Sequence, residues 1–323
     1  TNEGAFLKEA ERVFDVCHGC RRCVSLCESF PTLFDLIDES ETFEVDGVNK
    51  NDFQKVVDEC YMCDLCYQTK CPYVPPHEWA IDFPHLMLRG KAIAHKKKKK
   101  GLLNRLRDKA LTSTDQTSSI LKIPLIDITY KKLSESKLLR KTTSSLTGIH
   151  ELALLPQLAN SMEYKTNTEI SPEKVGLTRG RVAIFESCYC RNYKPTLVED
   201  LIQVLEHNEI LVKVIAEEKC CGMPKLDLGD LESVEKLMEF NVPKLIEEIN
   251  AGFDIISLVP SCVLMFKQEL PLLFDGNEDL QTIKKYMYDP FEYLAKRDSD
   301  GKLKKDFKSS LGKIAYQVAC HQR

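Results

Sequence analysis

No stretch of this 323-residue chain approaches the roughly 18 to 20 consecutive apolar residues of a membrane-spanning helix, so the sequence predicts no transmembrane span. No Gly-x-Gly-x-x-Gly follows a strand-like run and no P-loop occurs, which assigns any flavin or nicotinamide to a partner chain. Net charge is small, −4, and the basic residues are not interleaved with aromatics, a pattern that excludes a nucleic-acid-binding face. The amino terminus lacks an apolar signal-peptide core, and Lys and Glu are abundant; both argue against a secreted, disulfide-stapled domain. With 43% hydrophobic and 29% charged residues, the expectation is a cytoplasmic protein of two or three domains with a core of ordinary size. The chain opens at Thr1 without methionine and stops three residues after Cys320, so both ends read as cut.

What the chain has in excess is cysteine: fourteen, many for an intracellular protein unless metal holds them as thiolates. Eight fall in the first quarter as two near-copies, Cys17-x2-Cys20-x2-Cys23-x3-Cys27 and Cys60-x2-Cys63-x2-Cys66-x4-Cys71-Pro72. This is the spacing that wraps cubane iron–sulfur clusters. Three thiolates two residues apart reach three corners of one cube, and in two-cluster proteins the fourth crosses to the other cube. The pattern assigns Cys17, Cys20, Cys23 and Cys71 to one 4Fe–4S cluster, and Cys60, Cys63, Cys66 and Cys27 to a second. Structural zinc takes four ligands, usually as two separated pairs, and fits three consecutive Cys-x2 steps poorly. Haem attachment needs His directly after the second Cys of such a pair, where Arg21 stands; His18 is read as a loop residue near a cluster.

Apolar residues recur at helical spacing over residues 3–16 and again over 51–59, each run leading into a cysteine loop. Asp52 is the expected N-cap of the second run, and Phe53, Val56 and Val57 its buried stripe. Helix, cysteine loop, helix, cysteine loop is the order of an α-helical ferredoxin module. It is placed at residues 1–88 and closed by a helix over 78–88 that Pro84 interrupts. Residues 89–178 read as a basic linker, including Lys96 to Lys100, followed by irregular segments of short apolar groups among Ser, Thr and Lys. Such a stretch is either a solvated basic loop followed by irregular helices packed on the domains, or a membrane-surface patch, in which each Lys or Arg near anionic headgroups contributes about 1 kcal/mol.

After Gly180 strand-like and helix-like segments alternate, which predicts an α/β domain with a parallel sheet. Strands are expected at 181–186, 209–216, 253–259 and 313–318. Helices are expected at 195–206, at 230–250 with a kink near Pro243, and at 280–297 with a break at Pro290. Cys188, Cys220-Cys221, Cys262 and Cys320 then follow successive strand ends. Ligands of open parallel sheets bind outside those carboxyl ends, so the thiols are expected to converge on one object. Gly222, without Cβ, lets the backbone come close to it.

These residues resemble the iron–sulfur subunits built from CCG domains, of the type found in anaerobic glycerol-3-phosphate dehydrogenase and heterodisulfide reductase. The strings that carry the resemblance are Ile184-Phe185-x2-Cys188, Glu218-Lys219-Cys220-Cys221-Gly222-x-Pro224 and Tyr316-x3-Cys320-His321. The resemblance implies a CCG domain over 179–310, whose Cys188, Cys220, Cys221 and Cys262 hold a third iron–sulfur cluster. It also implies the start of a second, truncated CCG domain over 311–323. The implied role is electron transfer in anaerobic respiration, from a flavin-containing dehydrogenase subunit toward a quinone, by a peripheral protein on the inner face of the cell membrane. The alternative within the same resemblance is a catalytic protein of the heterodisulfide reductase type that cleaves a disulfide at the CCG cluster. The sequence departs from the complete motif, which ends in Cys-x2-Cys: Met265 stands three residues after Cys262, and Cys190 is an extra thiol.

Overall fold

A computed structural model describes residues 2–97, 101–155, 157–160 and 162–322, so Lys98, Lys99 and Lys100 of the basic run lie outside the described residues. The Asn2 side chain accepts from Ala5 N–H and starts α1 (Glu3–Cys20), which buries Phe6, Ala10, Val13 and Phe14 at helical spacing. The helix runs a turn beyond the sequence boundary and carries Cys17 and Cys20 in that turn, until Arg21 ends it in the left-handed region with φ 51°. Two short helices follow, α2 (Ser29–Asp38) and α3 (Phe53–Asp58), tied together where Ser29 Oγ donates to Val56 O at 2.7 Å. Asp52 does not cap α3 through its side chain; the carboxylate pairs with Lys55 at 2.8 Å instead.

The next helix corrects the expectation for Pro84. Residues 78–82 are non-helical and α4 (Phe83–Lys96) begins at Asp82, whose carboxylate accepts from His85 N–H at 3.2 Å. Pro84 sits in the first turn, where a missing N–H costs nothing, so it starts the helix rather than interrupting it. Phe14 packs edge-on to Phe53 with ring centroids 4.9 Å apart, and Phe30 stacks on Phe83 at 4.6 Å, so aromatic rings fasten all four helices into one core.

The stretch read as a linker is largely helical: α5 (Leu102–Thr112), α6 (Thr114–Leu121), α7 (Pro124–Glu135) and α8 (Lys137–Thr147) precede a mostly irregular run to Gly180. Leu103, Leu111, Ile120 and Leu138 are exposed on these helices.

The α/β part comprises β1 (Arg181–Phe185), α9 (Ser187–Tyr193), α10 (Thr196–His207), β2 (Leu211–Val214), α11 (Met223–Leu226), α12 (Leu231–Asn250), β3 (Asp254–Ser257), α13 (Pro260–Leu264), α14 (Leu270–Leu273), α15 (Glu278–Tyr286), β4 (Met287–Tyr288) and α16 (Pro290–Ser299). The sheet order is β2-β1-β3-β4 and every pairing is parallel. Helix α12 continues through Pro243. The fourth strand is not where the sequence placed it: residues 313–318 are irregular and exposed, while Met287 and Tyr288, inside the stretch expected to be helical, are buried at the sheet edge. Pro290 disfavours helix at the residue before it, so the chain extends after Tyr286 and pairs with β3.

Alternation along the strands divides the interior. Ala183, Phe185, Ile255 and Met287 face a core continuous with the aromatic cluster of α1 to α4. Val182, Ile184, Val212 and Ile256 face a second core with α10 and Tyr293. The two halves also meet through backbone. A Cβ on Gly229, which has φ 75°, would lie 2.4 Å from Ala92 N and Lys91 C of α4, so only glycine allows this approach.

Candidate functional site

The first cysteine loop is built on helix ends. Cys17 and Cys20 lie on the last turn of α1, and Cys27 precedes α2, where the N–H groups of Ser29 and Phe30 bond its sulfur. In the second loop Met62 and Asp64 both take left-handed backbone, φ 52° and 57°, between Cys60, Cys63 and Cys66. Left-handed conformations at non-glycine residues are costly and mark a locally imposed loop shape. The extra residue of this loop is absorbed by a wide turn over Cys66–Lys70, closed by Cys71 N–H donating to Cys66 O at 2.8 Å. Backbone N–H groups also bond the sulfurs of Cys60, Cys63 and Cys71, from Met62, from Leu65, and from Tyr73 and Val74.

Two neighbourhoods result, and each draws on both loops. One cavity is lined by Cys17, Cys20, Cys23 and Cys71 together. Burial, then the charges of Cys23, Cys71 and Cys20, push the Cys17 thiol far up; burial, then Cys71, Cys20 and Cys27, take Cys23 to about 11. Burial, then Cys60, Cys23, Cys63 and Cys27, push Cys66 up, whereas Cys60 rises only to about 11 because the Met62 N–H and Lys91 oppose its burial. These are thiols that deprotonate only if a cation stands among them.

The later cysteines gather at the sheet rim. Cys188 lies on α9 after β1, Cys220-Cys221 follow β2, and Cys262 lies on α13 after β3. All four are buried, and their sulfurs form a hydrogen-bonded series Cys188, Cys220, Cys221, Cys262. Thiols on both sides and the Gly222 N–H donate to Cys220 and lower its pKa, while Cys188 and Cys221, as donors, are raised. Gly222 has φ 101°, and a Cβ there would lie 3.4 Å from Met265 Cε, so the fully buried Met265 packs beside the Cys-Cys turn. Cys190 is fully buried in the second core, among Val182 and Ile184. Cys320, expected at the end of a fourth strand, is instead exposed and its charge reaches Cys63; the adjoining His321 bonds Ser261 Oγ at 2.8 Å and Met62 O at 3.1 Å.

Side chains that sequence reasoning passed over hold the rim in shape. Asn241 of α12, 1% exposed, accepts from Lys219 N–H at 3.0 Å and donates to Lys219 O at 3.2 Å and Cys220 O at 3.1 Å. Arg191 donates to Glu218 Oε1 at 2.8 Å and to Glu186 at 3.1 Å, and Glu218 Oε1 also accepts from Ser187 N–H at 2.7 Å. Burial lifts the Glu218 carboxyl to about 8, and its Oε2 has no hydrogen-bond partner among the described residues. Asp115 reaches in from α6, accepting from the Cys220 N–H and from Asn192 at 3.1 Å. A polar residue in the buried stripe of α12 was a readable signal for Asn241; nothing local marks Asp115.

All fourteen cysteines are free. Among the described residues no group of three or more His, Cys, Asp or Glu side chains is gathered tightly enough to hold a single metal ion, so the thiols are neighbours and not a closed ligand shell. No described helix is long and apolar enough to cross a membrane.

Residues 182–267 match the CCG cysteine-rich domain family. The chain is 26% identical over 144 residues to a subunit of anaerobic glycerol-3-phosphate dehydrogenase from Escherichia coli (strain K12), a match covering 44% of this chain and 36% of that protein. It is 28% identical over 151 residues to a subunit of the fumarate reductase (CoM/CoB) of Methanothermobacter marburgensis, covering 46% of this chain and 27% of the relative. Against citrate utilization protein B of Escherichia coli the identity is 34% over 79 residues, 24% of this chain and 18% of the other. The matches thus span about a third or less of these relatives' lengths. No solved structure matches the chain.

Proposed function

We propose that this chain, whose residues 182–267 are a CCG domain, is an iron–sulfur electron-transfer subunit of a multi-subunit oxidoreductase. In this reading residues 1–88 are a ferredoxin-type module with two 4Fe–4S clusters, one on Cys17, Cys20, Cys23 and Cys71, the other on Cys60, Cys63, Cys66 and Cys27. Residues 179–310 are the CCG unit, where Cys188, Cys220, Cys221 and Cys262 hold a third cluster, and 311–323 open a second CCG unit. When bound, such clusters supply one-electron transfer. The observation that carries the reading is the cavity lined by the first three cysteines of one loop and the last cysteine of the other.

The chain's own groups fit that task. Backbone N–H groups aimed at Cys27, Cys60, Cys63 and Cys71 stabilise charge on sulfur, which is how a protein sets a cluster's potential. Lys91 places its ammonium on Cys60 O at 2.6 Å and favours the anionic form of the Cys60 sulfur. A flavin-containing dehydrogenase subunit supplies electrons and a quinone receives them, with the chain lying peripherally on the inner membrane face through the Lys96 to Lys100 run. The alternative, disulfide reduction at the rim, calls for a fifth rim thiolate where buried Met265 stands.

Iron and sulfide content with electron paramagnetic resonance, on protein isolated without oxygen, tests the ligand sets. Cys71→Ser is expected to remove the signal that Cys17→Ser removes; loss of the Cys60→Ser signal instead would overturn the pairing. Cys220→Ala is expected to stop quinone reduction while leaving both ferredoxin signals, and unchanged quinone reduction would reduce the rim to structure. Replacing Lys96 to Lys100 with Gln is expected to weaken binding to anionic vesicles, most at low ionic strength; unchanged binding would return the run to a solvated loop.

A further inference from the structure

We propose that the cleft between α4, α5 and the turn after Cys220-Cys221 binds a small organic anion carrying two or more negative charges. The cleft encloses about 680 Å3, inside the range of about 300 to 1,000 Å3 typical of small-molecule sites. Its charges are unevenly committed. Of the lining acids, Asp58 accepts from Gln54 at 2.9 Å, Asp108 pairs with Arg107 at 2.9 Å, and Asp230 caps α12 by accepting from Ser233 N–H at 3.2 Å. Asp227 is the fourth, with Oδ1 unpartnered and the charge of Lys91 acting on it.

Asp58 and Asp230 bond only neutral donors and keep their charges, so four lining cations, Lys91, Arg105, Lys109 and Lys225, face three acids not paired with a cation, Asp58, Asp227 and Asp230. Arg105 and Lys109 stand one turn apart on α5, both exposed, and neither side chain bonds any described residue. Lys91 and Lys225 give their protons to neutral oxygens, Cys60 O at 2.6 Å and Ser113 Oγ at 3.0 Å, so neither hydrogen bond neutralises its charge. His95 adds a donor one turn along α4 from Lys91. Cations on three walls suit several anionic groups on one molecule, and Leu102, Leu106 and Leu228 offer apolar surface to its carbon skeleton. Lys91 touches the second cysteine loop and the charge of Lys225 acts on Cys220, so a ligand in the cleft lies between the two cysteine regions. Binding does not depend on what those cysteines hold.

Isothermal titration of the whole chain, isolated without oxygen and at low ionic strength, tests this with citrate and pyrophosphate as probes for carboxylate and phosphate chemistry. Saturable one-to-one binding of at least one is expected, with R105Q/K109Q weakening it by about tenfold or more. Both positions are exposed on a helix, so the variant is expected to fold. Lys236→Gln, on the exposed face of α12, serves as the control for loss of a surface cation and is expected to bind as the unaltered chain does. The site is overturned if neither probe binds more tightly than millimolar, if R105Q/K109Q binds unchanged, or if Lys236→Gln loses as much. Capture by anionic vesicles without binding of either soluble probe would also overturn it, in favour of a lipid headgroup.

Discussion

The two cysteine regions are assembled by different means. In the loops the cysteines of each motif are three to five residues apart, half-exposed for the most part, and their sulfurs are dressed by backbone N–H groups two or three residues on. At the rim, Cys188 and Cys262 are 74 residues apart, and parallel pairing of β1 with its neighbours β2 and β3 brings their strand ends together. There the Gly222 N–H serves the Cys220 sulfur, Arg191 stands on the same helix as Cys188, and side chains remote in sequence join them: Asn241 from α12 and Asp115 from α6. A loop that carries its own donors is robust to changes far away. A rim assembled by topology inherits the stability of every element that feeds it.

The largest expected effect strikes the contact that both regions share. Gly229→Ala drives a Cβ to 2.4 Å from the backbone of α4 at a left-handed position, and backbone cannot step aside as a flexible side chain can. Overpacking and strain together are expected to cost about 3 to 5 kcal/mol, read as a lower urea midpoint. A midpoint equal to that of the unaltered chain would mean that the halves are not docked through this turn.

Asn241→Leu separates the regions. It leaves Lys219 N–H, Lys219 O and Cys220 O without their partners, at about 1 to 3 kcal/mol for the buried polar groups stranded. Thiol accessibility at Cys220 and Cys221 is expected to rise while the cysteines of both loops react as before. Equal exposure of loop and rim thiols would erase the distinction drawn above. Lys91→Gln is the mirror experiment: it removes the ammonium at Cys60 O and is expected to change the second loop more than the rim, by about 1 kcal/mol.

The same difference explains what could be read in advance. The loop cysteines announce themselves because the spacing of Cys17, Cys20 and Cys23 is itself the geometry. Strands β1, β2 and β3 were legible from short apolar runs: β1 and β3 are buried on both faces, and β2, at the sheet edge, buries Val212. The fourth was misplaced because Met287-Tyr288 is too short to show a period, whereas residues 313–318 have a strand's composition with no strand to pair with among the described residues. Asp115 was invisible for a stronger reason: its role exists only because α6, within a basic and low-contrast stretch, folds back over the rim.

The smallest effect lies at the polar seam between the regions. His85 of α4 bonds Asp82 at 2.8 Å and Glu269, just past α13, at 3.3 Å, and beside them Gln268 donates to Asp64 at 3.1 Å. Burial opposes a charge on His85 more than any other single influence. The hydrogen bonds and charges of Asp82 and Glu269 together outweigh it, and the imidazole is held up at about 10. A folded-state value raised above the unfolded one, near 6.5, means that this contribution is complete below about 6.5 and fades as pH climbs through about 10. His85→Gln keeps a donor but no charge, and is expected to lower stability by about 0.5 to 1 kcal/mol at pH 6, with the difference from the unaltered chain closing toward pH 10. A difference that stayed constant with pH would show that His85 acts by shape alone, leaving the seam no more electrostatic than the apolar core beside it.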